Sequence, residues 1–172
     1  VIVTERLRLR RQRLEDFPAA LELWTDPVVT RYIGGRPSTE EEVWARLLRN
    51  VGHWELIGFG YWIVEDRDGG LVGEVGFADH RRDLVPSLVG LPELGWVLVP
   101  RAHGRGYATE AARAALDWAD ASLGAERTAC IIHPENAQSR RVAAKCGYVE
   151  VARTTYKGDP TIVYMRPRNV LG

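Results

Sequence analysis

A carboxylate and a glycine turn stand close together in one stretch of this chain, Glu93 to Ala111, which reads ELGWVLVPRAHGRGYATEA. Leu94, Trp96, Val97, Leu98 and Val99 are strand formers, and Pro100 ends them. His103-Gly104-Arg105-Gly106-Tyr107-Ala108 is a short glycine-rich turn, and Thr109 to Leu116 is strongly helix-forming. Strand, glycine turn and helix in that order make an anion site. Glycine lets the backbone pass close to a ligand, and the first N–H groups of a helix have no partner within it. Those groups and the helix dipole favour a phosphate or pyrophosphate. The same pattern also serves as an ordinary strand-to-helix connection. No Gly-Lys-Ser/Thr follows, which excludes a nucleoside-triphosphate loop, and Thr109 stands where a dinucleotide fold wants its third glycine.

Other chemistries find less support. His53, His80, His103 and His133 have no recognisable ligand spacing, so no metal is expected. There is no Gly-x-Ser-x-Gly elbow, and neither Cys130 nor Cys146 has a histidine partner motif, so covalent catalysis is not expected. The two cysteines read as reduced core thiols of a cytoplasmic protein. Lys+Arg and Asp+Glu are both 23, and a zero net charge argues against a general nucleic-acid binder. No run is apolar enough to cross a membrane and no secretory signal pattern is seen. The chain begins at Val1, so an initiator residue or short leader is expected ahead of it.

The elements that must position these groups follow from periodicity. The 172 residues suit one domain, 1–172, with a sizeable core. Thr4 to Arg10 alternates apolar with charged and predicts a strand. Leu14 to Trp24 predicts a helix ended by Asp26-Pro27, with a short turn over Val28 to Ile33. Two overlapping capping boxes, Ser38 with Glu41 and Thr39 with Glu42, start a second helix. Gly58 to Val64 and Leu71 to Phe77 predict a hairpin. After Glu93 to Val99 and its helix come a strand over Arg127 to Ile132 and a short helix stopped by Gly147. Tyr148 to Arg153 and Thr161 to Arg166 close the chain, joined through Lys157-Gly158-Asp159-Pro160.

The turn at His103 to Ala108 resembles the acyl-CoA-binding signature of the GNAT superfamily of N-acetyltransferases, Gln/Arg-x-x-Gly-x-Gly/Ala, with His103 departing at the first position. A second signature matches as Asn136-x-x-Ser139 followed by Lys145-x-Gly147-Tyr148. Thr4-Glu-Arg-Leu, Asp26-Pro27 and Gly106-Tyr-Ala-Thr-Glu-Ala resemble the RimJ/RimL-type branch. The resemblance spans nearly the whole chain. It implies an α/β (α+β) fold with a mixed central sheet of about seven strands, the fourth splayed, and about four helices.

It also implies roles. Acetyl-CoA is the co-substrate. Backbone groups at Val97, Leu98 and Val99 would pair with the pantetheine arm, with the Leu98 N–H on the thioester oxygen. The pyrophosphate would sit on the N–H groups from Gly104 through Arg105, Gly106, Tyr107 and Ala108 to Thr109, with the Arg105 side chain adding a charged contact. Glu93 is the candidate general base and Glu74 its rival; either is equally a salt-bridged glutamate. The family's usual tyrosine acid is replaced by Ala143, so the thiolate hydrogen bond falls to Ser139. Ser139 and Asn136 both also suit helix capping. Trp24, Tyr32 and Trp54 are candidates to touch the acceptor, or are core aromatics. The expected reaction is direct attack of a primary amine, first a protein N-terminus and second a small amine. A non-catalytic acyl-CoA-binding module, or another donor such as succinyl-CoA, is the alternative. A homodimer fits the edge strands.

Overall fold

The structure is a computed structural model that describes residues 1–169. In chain order the elements are β1 (Ile2–Val3), β2 (Leu7–Arg11), α1 (Phe17–Thr25), α2 (Pro27–Thr30), α3 (Glu40–Ile57), β3 (Tyr61–Asp66), β4 (Leu71–Ala78), β5 (Glu93–Leu98), α4 (Tyr107–Ser122), β6 (Arg127–Ile132), α5 (Ala137–Lys145), β7 (Val149–Tyr156) and β8 (Asp159–Pro167). They form one mixed sheet in the order β1-β2-β3-β4-β5-β6-β8-β7. Neighbours pair antiparallel except β5 and β6, which are parallel. The mixed α/β fold matches expectation, with eight strands and five helices among the described residues rather than seven and four.

The additions have local causes. The run Thr4 to Arg10 is not one strand. Thr4 donates its N–H to the Leu7 carbonyl and accepts the Leu7 N–H at its hydroxyl oxygen, and the turn so made folds β1 back on β2. The extra helix is a single turn capped by Asp26, whose carboxylate accepts from the Val28 N–H at 2.8 Å. Of the two candidate boxes at the start of α3, Thr39 with Glu42 is the one that forms, at 3.2 and 2.8 Å. The closing hairpin is tighter than expected. Only Lys157 and Gly158 lie outside the strands, both at positive φ, the geometry of a two-residue turn that suits strand twist.

The core lies between the sheet and α4. Val72, Val75, Phe77 and Leu94 are fully buried beneath Ala111, Ala112, Ala115 and Leu116. Trp54, Trp62 and Trp118 meet edge to face there, with ring centroids 4.9 to 5.4 Å apart. A second cluster, built on Leu23, Trp24, Val43 and Val97, packs α1 and α3 over the other face of the sheet.

Candidate active site

The cleft begins where β5 and β6 part. Their register is a single pair, Glu93 with Ala129, and beyond it the two strands diverge. Val99 donates to the Val72 carbonyl at 3.0 Å. Alternation along an antiparallel ladder then turns the main-chain groups of Val97 toward β4 and those of Trp96 and Leu98 toward the gap, while the Val99 carbonyl accepts from the Ala102 N–H at 2.9 Å. Of the expected trio Val97, Leu98 and Val99, it is Leu98 whose main-chain groups turn toward the gap. The Leu98 carbonyl accepts from His103 Nε2–H at 2.9 Å, which turns that ring back onto β5 and away from a phosphate contact.

The glycine turn follows. Gly104 (φ 72°) and Gly106 (φ 79°) hold left-handed conformations that disfavour other residues. Gly106 precedes α4 without a side-chain cap, so the N–H groups of Tyr107, Ala108 and Thr109 have no partner from their own helix. A brace from the chain's start holds this turn. Glu110 accepts from the Thr4 hydroxyl at 2.6 Å, the Arg6 N–H at 2.9 Å and Arg6 Nε at 2.7 Å. Arg6 Nη1 in turn donates to the Arg105 carbonyl at 2.9 Å. The Arg6 and Arg105 guanidinium groups lie 4.7 and 4.9 Å from the Tyr107 ring centroid. The unpartnered amides, both left-handed glycines and this bracing fit a CoA pyrophosphate.

The cleft itself is about 740 Å³, within the range of small-ligand sites. Glu93, at its floor, is 6% exposed and is gripped by Arg82 through Nε to Oε2 at 2.9 Å and Nη2 to Oε1 at 2.8 Å. Glu74 on β4 is 2% exposed and, among the described residues, is hydrogen-bonded only by Trp24 Nε1, at 3.4 Å. Burial pushes its carboxyl up to about 7, against the nearby charge of Arg46 and the Trp24 hydrogen bond. The Arg46 guanidinium lies 3.6 Å from the Trp24 ring centroid. His80, also lining the cleft, is pushed down to about 3 by burial and the charge of Arg82, so it is neutral at ordinary pH.

On the far wall Asn136 caps α5, accepting from the Ser139 N–H at 3.1 Å. Asn136 is therefore the cap, and both Asn136 and Ser139 line the cleft. Tyr32 reaches across to His133, with ring centroids 5.2 Å apart. Trp24 and Tyr32 line the cleft, but Trp54 does not. Its Nε1 donates to the Tyr61 carbonyl and its ring is packed among Trp62 and Trp118, because the last turns of α3 face the core. Among the described residues no group of histidine, cysteine and carboxylate side chains is arranged to hold a metal. Both cysteines are buried and free, with thiols raised by burial.

Sequence reasoning missed Tyr61, Arg46 and Arg82. Tyr61 shares a row with Gly76 and Gly95, and its hydroxyl lies where a Cβ on Gly95 would stand. Two bare positions thus let one tyrosine cross β4 to the cleft. The pattern of glycines was visible, but only the register joins them. Arg46 belongs to the stripe Glu42, Arg46, Arg49 and Asn50 along α3, a helical spacing readable in the sequence.

The model of the acetyltransferase (GNAT) domain matches residues 6–149. YkkB of Bacillus subtilis (strain 168) is 33% identical over 169 residues, 96% of this chain and 94% of its own. YnaD of the same organism, named an uncharacterized N-acetyltransferase, is 32% identical over 146 residues, covering 85% and 81%. Among solved structures, an acetyltransferase of Agrobacterium tumefaciens str. C58 superposes with a TM-score of 0.82 at 28% identity, over 95% of this chain and 92% of that one. Two others share the fold at lower identity. One is a spermidine N-acetyltransferase of Vibrio cholerae in complex with CoA and spermine (TM-score 0.75, 18%, covering 96% and 97%). The other is RimL, the ribosomal L7/L12 alpha-N-protein acetyltransferase, in complex with coenzyme A (0.78, 15%, covering 96% and 96%). On the family match and these relatives, the chain belongs to the GNAT acetyltransferase family and is an acyl-CoA-dependent transferase.

Proposed function

We propose that the protein acetylates a primary amine by direct attack on acetyl-CoA, with Glu74 as general base. The observation that carries this reading is the Glu74 carboxyl, buried in the cleft and raised to about 7. A base of that strength is half ionised near neutral pH, where it both accepts and releases a proton readily. Glu93 is a poorer candidate, since Arg82 occupies both of its oxygens. We assign Glu93 to holding Arg82 and, through it, the 79–92 loop.

Acetyl-CoA supplies an activated acetyl group. Glu74 draws a proton from the acceptor ammonium, directly or through water. The neutral nitrogen then bonds to the thioester carbon as the carbon–sulfur bond breaks. The Ser139 hydroxyl hydrogen-bonds the departing thiolate, and the proton that the newly acylated nitrogen sheds passes to the thiolate, giving the neutral amide and free CoA thiol, while Glu74 returns its own proton to solvent. In this reading the Trp96 main-chain groups and the Leu98 N–H orient the thioester arm, and the Gly104 to Thr109 amides hold the pyrophosphate. Trp24 and Tyr32 are the proposed acceptor contacts. The acceptor is a protein N-terminus or a small amine. The RimJ/RimL-type reading rests on Thr4-Glu-Arg-Leu, Asp26-Pro27 and Gly106-Tyr-Ala-Thr-Glu-Ala.

The test is release of free CoA thiol from acetyl-CoA with a panel of amines. Glu74→Gln is expected to lower kcat by about a hundredfold or more, and Glu93→Gln by less. Equal rates for Glu74→Gln and the unaltered protein would overturn the assignment of the base.

A further inference from the structure

The cleft is unevenly charged. Six of its lining residues are arginine or lysine and four are aspartate or glutamate. The carboxylates are mostly spoken for. Glu42 is paired with Arg36 at 2.6 Å and also accepts from the Thr39 N–H, while Glu93 is paired with Arg82 at 2.8 Å. Glu74 is buried and assigned to proton transfer. Only Asp159, exposed at the closing turn, is left to greet a second positive charge.

The cations are the reverse. Arg31, Arg46, Arg49 and Lys157 take part in no ion pair among the described residues. Arg46 is the telling one. Its Nε is buried and has no hydrogen-bond partner among the described residues, and its guanidinium carbon lies over the Trp24 ring, 3.6 Å from the centroid. A buried, unpartnered donor on a charged side chain is costly unless something supplies an acceptor. Arg49 stands one helical turn further on the same face of α3 and also lines the cleft. None of these cations belongs to the glycine turn, and no residue of 103–109 lines the cleft, so the pyrophosphate does not account for them.

Trp24 joins the two halves of the site. One face carries Arg46, and its Nε1 reaches Glu74 at 3.4 Å. Arg46 and Glu74 themselves form no ion pair within 4.0 Å. One indole thus touches both an arginine that has no carboxylate partner and the proposed proton acceptor. A planar guanidinium backed by an aromatic ring suits a carboxylate or phosphate bound through two oxygens. We infer that the acceptor is a small amine that also carries an anionic group, a carboxylate or a phosphate, with the anion held by Arg46 and Arg49 and the amine at Glu74. This rests on the acetyltransferase reading above and narrows its substrate class. A polyamine, with only positive charges, is disfavoured in such a cleft.

The experiment measures CoA release with matched amines that differ only in the anion. The pairs are phosphoethanolamine with ethanolamine, glucosamine 6-phosphate with glucosamine, and α-amino acids with their amides; spermidine is the cationic control. The anionic member is expected to have a kcat/KM roughly tenfold or more above its partner. Which pair responds distinguishes carboxylate from phosphate. Arg46→Gln is expected to erase that ratio chiefly through KM, and Arg46→Lys to restore part of it. The stabilisation of Arg46→Gln by acetyl-CoA serves as the control for folding and the donor site. Equal or better rates with the uncharged partners or spermidine would overturn the inference, as would a ratio unchanged in Arg46→Gln. Stabilisation by acetyl-CoA with no turnover of any amine would also overturn it while leaving the donor site standing. Absence of stabilisation by acetyl-CoA would instead sink the acetyltransferase reading itself.

Discussion

Glu74 and Glu93 stand on neighbouring strands, four ladder positions apart, and only Glu93 has a charged partner within an ion-pair distance. Arg82 neutralises Glu93, while Glu74 is left to a distant indole N–H and the field of Arg46. That difference has a thermodynamic signature. The Glu74 carboxyl titrates near 4.5 in the unfolded chain and at about 7 in the fold. Between these pH values the unfolded chain releases a proton that the fold retains, so stability falls as pH rises through the window and levels off above it. The rise is worth on the order of 3 kcal/mol. Glu74→Gln is therefore expected to melt higher than the unaltered protein at pH 8, with the gain gone at pH 4, by calorimetry at both values. At this scale the sequence was half legible. Both glutamates were visible as candidates on adjacent strands, but Arg82 lies in an irregular loop whose path no periodicity predicts. Trp24 and Trp54 were equally indistinct. Each sits on an amphipathic helix, and only the packing shows that one edges the cleft and the other fills the core.

At the scale of elements, the glycine turn depends on a segment a hundred residues away. The Thr4 hydroxyl and the Arg6 main chain and side chain converge on Glu110 in the first turn of α4, and Arg6 also ties down the Arg105 carbonyl. The brace fixes the turn before any ligand arrives, which spares the cost of ordering it on binding. Arg6→Ala is expected to raise the Kd for acetyl-CoA by roughly tenfold, measured by calorimetry, with little change in kcat at saturating donor. The turn itself was easy to read, because its glycines and helix formers are contiguous. The brace was not, since nothing in Thr4-Glu-Arg-Leu says where its side chains go. The row of Tyr61, Gly76 and Gly95 is a similar case. Gly95→Ala would set a methyl against the Tyr61 hydroxyl, and acceptor turnover is expected to fall more than acetyl-CoA binding, by steady-state kinetics and calorimetry on the same variant.

At the scale of the whole molecule, two apolar clusters on opposite faces of one sheet divide the labour. The face under α4 carries most of the core, including the three tryptophans, and the face under α1 and α3 supports the cleft. Trp54→Ala is expected to cost about 3–5 kcal/mol in denaturant unfolding while leaving the stabilisation by acetyl-CoA intact. The order of elements was legible because each carries its own period and caps. The parting of β5 from β6 was reached only through family resemblance, because divergence of two strands leaves no mark on either one's composition. The most direct test of the mechanism is the pH dependence of kcat/KM with acetyl-CoA and the fastest amine of the panel. A rising limb centred near pH 7, retained in Glu93→Gln and abolished in Glu74→Gln, is the predicted result. A limb that survives in Glu74→Gln, or that disappears in Glu93→Gln, would contradict the assignment of Glu74 as the base.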